Sequence, residues 1–220
     1  SRSDTAEVIF TSGTTAEPRG VVLTHGNILA NLEPLETEIA KYRKWERWFH
    51  PLRFLNLLPL SHVFGQFLGV FIPPVLGATV VFQESLNPAE VLRTIKRERV
   101  SLVVTVPRLL ETLRTKLERD LEAEGRAAWL AGQMSAAEGE KFVRRMWRFR
   151  RIHRRFGWKF WAFLSGGAAL PSQTEEFWMR LGFAVIQGYG LTETTSLVSV
   201  NHPFQLGKGS VGKVLAGREV

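Results

Sequence analysis

A loop rich in hydroxyl groups and glycine lies near the start of the chain, and its composition suits phosphate binding. Residues 11–20 read TSGTTAEPRG and lie between the apolar stretches 8–10 and 21–23. Glycine permits backbone angles that let consecutive amides point at one anion, while hydroxyl groups and a guanidinium add donors for phosphate oxygens. An ordinary hairpin loop has a similar composition and is the alternative. The candidate phosphate-binding residues are Thr11, Ser12, Gly13, Thr14, Thr15 and Arg19.

The elements that would position this loop alternate between strand and helix patterns. Strands are predicted at 8–10, 21–23, 54–58, 79–82, 102–106, 159–164 and 183–186, and helices at about 25–49, 63–76, 88–99, 107–123 and 172–181. Thr24 is a candidate helix cap, and Ser172 with Glu175 forms a candidate capping box. The alternation predicts an α/β fold with a mainly parallel sheet and helices on both faces. Ligands of such sheets bind at the carboxyl ends of the strands, so the first loop, residues 165–168 and residues 187–190 are expected to share one site.

These segments resemble the signature motifs of the adenylate-forming superfamily, which includes acyl-CoA synthetases, non-ribosomal adenylation domains and luciferases. The family's phosphate-binding pattern, T-S-G-T-T-G-x-P-K-G followed by V-x-x-T-H, matches residues 11–25, with Ala16 in place of a glycine and Arg19 in place of a lysine. Three further stretches match in the expected order. Residues 58–62 (LPLSH) resemble the segment lining the acyl site, 165–168 (SGGA) the adenine-binding segment, and 187–194 (QGYGLTET) the nucleotide and magnesium motif.

The resemblance implies catalytic roles for three residues. Glu193 would be the magnesium ligand, and Thr192 would donate a hydrogen bond to the α-phosphate and later to the acyl-adenylate. His62 would lie near the carboxylate and the path of the acyl group or thiol. A solvated loop glutamate and a structural histidine are the alternatives for Glu193 and His62.

The resemblance also implies contacts with the nucleotide base. The ring of Tyr189 would lie against adenine, although core packing is compatible with the same position. The small residues Gly167 and Ala168 would flank the purine and allow its close approach. Gly188 and Gly190 belong to the same nucleotide-binding segment as Tyr189.

Composition limits the class of protein without choosing a partner. The chain has 220 residues, of which 45% are apolar and 23% charged, as in globular proteins. It contains no cysteine, which excludes disulfides and thiolate metal sites and suits a cytoplasmic location. No signal peptide or apolar run long enough to span a bilayer is present in the sequence. The net charge of +8 suits nucleic acid, an anionic membrane, or anions such as ATP and coenzyme A.

Much of the positive charge lies in one segment, residues 144–159, where basic and aromatic residues alternate. A solvated helix face, peripheral contact with an anionic membrane and contact with coenzyme A phosphates are all open readings. Nucleic acid is not expected, because no recognised nucleic-acid module surrounds the segment. Its basic and aromatic members are Arg144, Arg145, Trp147, Arg148, Phe149, Arg150, Arg151, Arg154, Arg155, Phe156, Trp158 and Lys159.

The resemblance predicts an acid–thiol ligase that uses ATP and Mg²⁺ to adenylate a carboxylate and then forms a thioester with coenzyme A. The stretch from Pro107 to Ser165 resembles bacterial long-chain acyl-CoA synthetases, so long-chain fatty acids are the expected substrates. An apolar tunnel for the acyl chain could include Phe64, Phe67, Phe71 and Trp161, which could equally be core. Transfer to a carrier protein or another acceptor is an alternative. A non-catalytic nucleotide-binding or membrane-associated module is a third reading.

The resemblance covers only the middle of a typical member of the superfamily. Residues 1–220 are expected to form a single α/β unit, internal to the AMP-binding large domain. The motifs that would bind ribose and supply the catalytic lysine of the carboxyl-terminal domain are not in this sequence. The polypeptide alone is therefore expected to be a poor or inactive catalyst, although its parent would be an enzyme.

Overall fold

The computed structural model of the chain describes residues 1–11, 18–40, 51–201 and 210–216, and only the backbone of residues 38–40. Its strands are β1 (Thr5–Thr11), β2 (Arg19–Thr24), β3 (Arg53–Asn56), β4 (Thr79–Phe82), β5 (Leu102–Thr105), β6 (Ala162–Ser165), β7 (Ala184–Tyr189), β8 (Ser199–Val200) and β9 (Lys213–Val214). Its α-helices are α1 (His25–Ala40), α2 (Val63–Gln66), α3 (Ile72–Val75), α4 (Pro88–Arg97), α5 (Pro107–Ala123), α6 (Ala127–Ala136), α7 (Phe142–Arg148), α8 (Arg150–Phe156) and α9 (Ser172–Arg180). A π-helical turn, Phe67–Phe71, joins α2 to α3, and a 3₁₀ turn covers Thr192–Thr194.

The central sheet is mainly parallel, as the alternation of strands and helices predicted. Its strand order is β4-β3-β5-β6-β7-β8-β9 within the described residues. The pairs from β4 to β7 are parallel, and Val103, Phe163 and Val185 are aligned across β5, β6 and β7. Strands β8 and β9 continue the sheet in antiparallel pairs. The sequence reading missed both, because two residues are too few to show a strand period.

Apolar side chains cover both faces of this sheet. Val103, Phe163 and Val185 belong to a buried cluster with Trp178 of α9 and with leucines of α5. On the other face, residues of the intervening strand positions pack in a second cluster with Phe67 and Ile72. Side chains alternate between the two faces along a strand, and each face carries one of these clusters, to which helices contribute. The prediction of helices on both faces of the sheet is therefore confirmed.

Strands β1 and β2 do not join the central sheet, contrary to the expectation of one shared sheet. They pair with each other in an antiparallel hairpin, in which Val8 faces Val22 and Thr11 faces Arg19. The strand predictions at 8–10 and 21–23 are confirmed, and the predicted loop connects the two strands of this hairpin. A short connection between two strands favours antiparallel pairing, since parallel strands need a long crossover.

Of two predicted helix caps, the one at Thr24 is confirmed and the one at Ser172 is wrong. Thr24 caps α1: its hydroxyl accepts from the Asn27 amide at 3.2 Å, and its own amide donates to Asn27 Oδ1 at 2.9 Å. The capping box at Ser172 is wrong, because α9 follows Pro171 without a side-chain cap. Glu175 is instead buried toward the sheet, where its Oε1 accepts from Gln187 Nε2 at 2.8 Å.

Several helices and strands begin or end at residues other than those predicted. Helix α1 ends at Ala40, and the rest of the predicted 25–49 helix lies outside the described residues. Strand β6 begins later than the predicted residue 159, and β7 continues to Tyr189. No helix in the described part of the chain is both long and apolar enough to cross a bilayer.

Candidate functional site

Three of the predicted site segments leave the central sheet at the same edge. The segment containing His62 follows β3, the glycine pair Gly166–Gly167 follows β6, and Gly190 follows β7. Because β3, β6 and β7 run parallel, these segments all lie at the carboxyl edge. The structure therefore brings three of the four segments that carry the family resemblance to the same edge of the sheet.

The ring of Phe64 connects these three segments. A Cβ atom placed on Gly166 would overlap this ring, so the ring rests directly on the glycine backbone. A Cβ on Gly188 would lie 3.4 Å from Phe64 Cε2 and 2.8 Å from Leu197 Cδ2. Phe64 is two residues after His62, which places the His62 segment against both glycine segments.

Asn56, at the end of β3, fixes the turn that leads to His62. Its Nδ2 donates to Gly65 O at 3.1 Å, and its Oδ1 accepts from the Leu58 amide at 3.1 Å. Asn56 is 1% exposed, and its amide occupies the space that a side chain on Gly69 would need. The side chain of His62 is exposed, directly before the first residue of α2.

The predicted adenine-binding residues form an open surface. Gly167 has a φ of +81°, which favours glycine, and a Cβ there would meet no atom within 4 Å. Ala168 is also exposed, and the side chain of Tyr189 at the end of β7 is 48% exposed. A planar ring could therefore approach Gly167, Ala168 and Tyr189 without displacing a side chain of the core.

Thr192 and Glu193 lie on the compact 3₁₀ turn that follows Gly190. The Thr194 hydroxyl accepts from the Leu191 amide at 3.0 Å and closes the turn. Gly190 is required next to it, because a Cβ there would overlap the Ser196 carbonyl oxygen. The turn exposes the Glu193 side chain and leaves Thr192 partly exposed.

The donor set at this turn suits Mg²⁺ bound together with phosphate. Among the described residues, no group of three or more His, Asp or Glu side chains could enclose a metal ion. Glu193 is therefore a single exposed carboxylate rather than part of a protein cage. Magnesium commonly takes one or two carboxylates, completing its coordination with water and substrate phosphates, so the residues present fit this ion.

The β1–β2 hairpin lies beside the same edge. Its residues Ile9 and Leu23 pack on Val63, the neighbour of His62, and β2 also contacts the Thr192–Thr194 turn. At the end of the hairpin, the Thr11 hydroxyl donates to Arg19 O at 3.5 Å, and the Arg19 side chain is exposed. Ser12, Gly13, Thr14 and Thr15 lie outside the described residues, so their predicted meeting with the other segments stays a prediction.

The sequence reading missed Asn56, Asn31 and the Glu175–Gln187 pair as supports of the site. The Gln187–Glu175 hydrogen bond lies directly before Gly188 and holds the amide of Gln187 inside the protein. A polar residue within an otherwise apolar strand pattern is the sequence signal that could have identified Asn56 and Gln187 as supports of the site. Asn31 of α1 is 3% exposed and its Nδ2 donates to Thr194 O at 3.0 Å, a contact that no local sequence pattern reports.

The basic and aromatic segment lies away from this site. Helix α8 leads into the amino end of β6, the edge opposite the Gly166 turn. Trp147 of α7 is 69% exposed, and the guanidinium of Arg150, the first residue of α8, stacks 4.6 Å from the centroid of the Trp147 ring. A cleft of about 350 Å³ is lined by Trp129, Gln133, Arg144, Trp147, Arg148, Arg150 and Arg151.

Comparison with known proteins identifies what these motifs have in common. A family model described as AMP-binding enzyme matches residues 1–220. The long-chain-fatty-acid–CoA ligase FadD15 of Mycobacterium bovis is 27% identical over 99% of this chain and 38% of its own length. A feruloyl-CoA synthase of Amycolatopsis is 27% identical over 90% of this chain and 32% of its own length.

Solved structures agree with the sequence comparison. The o-succinylbenzoate coenzyme A synthetase MenE of Bacillus subtilis, in complex with ATP and magnesium ion, has a TM-score of 0.64 and 26% identity. The match covers 98% of this chain and 37% of the MenE chain. The chain thus spans about a third to two fifths of the length of these relatives.

Proposed function

Because the chain belongs to the AMP-binding enzyme family, we propose that it carries the nucleotide-binding part of an ATP-dependent ligase that joins a carboxylic acid to coenzyme A. The observation that carries this proposal is the Phe64 ring, which packs on Gly166 and lies beside Gly188. This contact joins the three segments that an adenylation site needs at one edge of the sheet.

The reaction has two steps. In the first, a carboxylate oxygen forms a bond to the α-phosphorus of ATP, and the bond from that phosphorus to the pyrophosphate oxygen breaks. In the second, the thiolate sulfur of coenzyme A bonds to the acyl carbon, and AMP leaves with the electron pair of the carbon–oxygen bond. Both steps depend on holding two anions together and on stabilising charge at phosphate, more than on acid–base chemistry.

We assign the roles of the site residues from the family resemblance, and their placement at one edge of the sheet supports the assignment. Adenine lies on the open surface of Gly167, Ala168 and Tyr189, where Gly188 and Gly190 keep the backbone close-packed. Thr192 donates a hydrogen bond to the α-phosphate from the exposed 3₁₀ turn. His62, exposed at the start of α2, lies beside the carboxylate and the thiol path.

The remaining anion contacts come from the hairpin loop and from Glu193. Hydroxyls and amides of the loop, together with Arg19, bind the phosphates that leave as pyrophosphate. Their residues are Thr11, Ser12, Gly13, Thr14, Thr15 and Arg19. Glu193 supplies a carboxylate oxygen for Mg²⁺, which when bound neutralises part of the phosphate charge.

Long-chain fatty acids are the proposed substrates, supported by the similarity to FadD15. The names of two other relatives contain feruloyl and o-succinylbenzoate, so these two acids belong in the substrate panel beside fatty acids. Phe67 is fully buried and packs edge-to-face on Phe71 with centroids 6.3 Å apart, which favours a core role for Phe67. Transfer to a carrier protein or another acceptor is the second candidate.

The 220 residues correspond in length to only part of the relatives they match. Residues 1–220 form one α/β unit inside a longer AMP-binding large domain, as the partial coverage of the relatives supports. We propose that the 220-residue chain alone is a poor or inactive catalyst, since it spans only about a third to two fifths of the length of its relatives. Activity is therefore to be measured on the full-length parent.

A panel assay on the parent protein tests this function. ATP, Mg²⁺ and coenzyme A are incubated with fatty acids of different lengths, ferulate and o-succinylbenzoate, and AMP and the acyl-CoA product are measured. We expect AMP release that depends on one acid class and an acyl-CoA thioester as product. No AMP release with any acid would contradict the ligase assignment, while adenylate formation without thioester would favour another acceptor.

The exposed face of α7 and α8 supports a peripheral partner, an anionic membrane surface. Val143 and Trp147 are exposed beside Arg150 and Arg151. Glu140 offsets part of the charge by pairing with Arg144, at 3.1 Å, and with Arg148. Aromatic and aliphatic groups next to cations favour the boundary of an anionic bilayer. The enzyme would then work in the cytoplasm at a membrane surface.

Vesicle sedimentation tests this partner. We expect the parent to bind phosphatidylglycerol vesicles and not phosphatidylcholine vesicles, and the Trp147→Ala/Arg150→Glu/Arg151→Glu variant to lose most binding. The variant Arg93→Glu/Arg97→Glu changes two exposed arginines on α4 and serves as the charge-matched control. Equal binding by both variants would remove this surface from the proposal.

A further inference from the structure

Helix α1 and the β1–β2 hairpin form one connected unit. The His25 amide donates to Asp4 O at 3.1 Å and the Gly26 amide to Arg2 O at 2.7 Å, so the start of the helix is bonded to the segment before β1. The Arg2 guanidinium also pairs with Glu33 at 3.0 Å, about two turns further along α1. A displacement of the hairpin, which carries the predicted phosphate loop, would therefore move α1 with it.

Asn31 bonds this unit to the turn that bears Thr192 and Glu193. The side chain is 3% exposed, and its Nδ2 donates to Thr194 O at 3.0 Å and to Asn27 O at 3.4 Å. Both partners are carbonyl oxygens, which only accept hydrogen bonds, so the amide nitrogen must face them. The contact joins residues 163 positions apart in the chain.

Asn31 is not the side chain that would give the folded state its greatest stability at this position. Its Oδ1 atom is buried and has no hydrogen-bond partner among the residues that the structure describes. A buried acceptor without a partner destabilises the folded state, and an apolar side chain of similar shape avoids that cost. Leucine would fill this position of α1 but could not donate to Thr194 O.

The turn that receives this hydrogen bond has a strained backbone. Thr195 and Ser196 follow it with φ values of +57° and +89°, a region that residues other than glycine rarely adopt. The Ser196 hydroxyl is also buried without a partner within the described ranges. Strain of this kind persists only where the surroundings hold the backbone in place, and Asn31 is one of those contacts.

We propose that Asn31 is a positioning residue of the ligase, which holds the Thr192–Thr194 turn against α1 and so sets Thr192 and Glu193 relative to the β1–β2 hairpin. The inference rests on the proposed function. It assigns to α1 the task of keeping two separately folded parts of the site, the hairpin and the edge of the central sheet, in register. Asn31 itself contacts neither substrate nor magnesium in this account.

The test compares the full-length parent with its Asn31→Leu and Asn31→Asp variants. A matched control is Thr37→Val, which removes a hydrogen bond of 2.9 Å to Glu33 O on the exposed side of the same helix. Three quantities are measured: kcat and KM for acid-dependent pyrophosphate release, the melting temperature, and hydrogen exchange of the amides of residues 191–196.

We expect Asn31→Leu to keep its melting temperature within a few degrees while kcat falls by roughly 10- to 100-fold, because displaced catalytic groups lose rate steeply. KM for the acid should change little, and the 191–196 amides should exchange faster. Asn31→Asp, which places a second acceptor against the carbonyl oxygens, should be at least as impaired. Thr37→Val should resemble the unmodified protein.

Two results would overturn the inference. One is Asn31→Leu with unchanged kcat and unchanged exchange at 191–196. The other is a loss of rate that only follows a loss of folded protein. If the unmodified parent releases no pyrophosphate with any acid, the proposed function fails, and the exchange comparison still decides whether Asn31 holds the turn.

Discussion

In the proposed function, Glu193 would hold Mg²⁺ and would therefore be the residue on which the charge balance of the reaction depends. It lies exposed on a 3₁₀ turn at the carboxyl edge of the sheet, and the structure describes no cluster of acidic side chains that could replace it. A single carboxylate that shares Mg²⁺ with phosphate oxygens has a large effect on rate, because the ion stabilises charge in the transition state.

The variant Glu193→Gln should therefore lose about 100-fold or more in kcat for adenylation. It should also need more Mg²⁺ for half-maximal rate, while its melting temperature stays near that of the unmodified protein. Initial rates of AMP release across a magnesium titration would measure this. Glu84→Gln, at an exposed loop position after β4, is the control; equal effects of the two substitutions would argue against a metal-binding role for Glu193.

At the scale of elements, the contact between α2 and the ends of β6 and β7 defines the site. It requires a glycine at residue 166, because any larger residue would overlap the Phe64 ring. Gly166→Ala should destabilise the chain by about 1–3 kcal/mol through overpacking and reduce adenylation. Urea denaturation and AMP release would measure both effects.

A double-mutant cycle tests whether the clash with Phe64 is the cause. In the background of Phe64→Ala, the additional change Gly166→Ala should cost clearly less stability than in the unmodified protein, because the space it needs is then free. Strictly additive effects of the two substitutions would show that Phe64 does not contact Gly166.

The elements also show how far the sequence could predict the fold. Helices α4 and α5 start at the predicted residues 88 and 107, because Asn87 and two prolines give local signals; Asn87 Oδ1 accepts from the Ala89 amide at 2.9 Å. The Ser172 cap failed because Glu175 makes a tertiary contact with Gln187 that no local pattern reports. The separate hairpin and the short strands β8 and β9 likewise depend on pairing between distant residues.

For the site, motifs predicted which segments meet but not what holds them together. The glycines at 166, 167, 188 and 190 were recognisable from their resemblance to the family's motifs, and the predicted segments 58–62, 165–168 and 187–194 do lie at one edge of the sheet. Phe64, Asn56 and Asn31 support that arrangement through contacts across the fold. Such contacts become visible only when the segments are placed in three dimensions.

At the scale of the whole molecule, stability should depend on pH through His153. This side chain is buried, stacks on Phe183 at 4.1 Å between ring centroids, and contacts Leu181 O at 2.9 Å through Nε2. Burial lowers its pKa, although the hydrogen bond to Leu181 O partly opposes that effect. The unfolded chain therefore binds a proton at this residue more readily than the folded chain.

The direction of the pH dependence follows from the lower pKa of His153 in the folded chain. The free energy of unfolding should be at its full value above the ordinary histidine pKa of about 6.5 and should fall as the pH decreases from there toward the lower folded-state pKa. His153→Gln keeps a hydrogen-bond donor but cannot titrate, so its stability should vary less over the same range. Urea denaturation between pH 5 and pH 8 would measure this, and identical pH profiles would exclude His153 as the cause.

The central claim is that segments from β3, β6 and β7, together with the turn at Thr192, surround one adenylate. A crystal structure of the protein with AMP tests it most directly. The account predicts that adenine lies within contact distance of Gly167 and Tyr189 and that the phosphate is within hydrogen-bonding reach of Thr192. A nucleotide bound elsewhere, for example in the cleft beside Trp147, would contradict it.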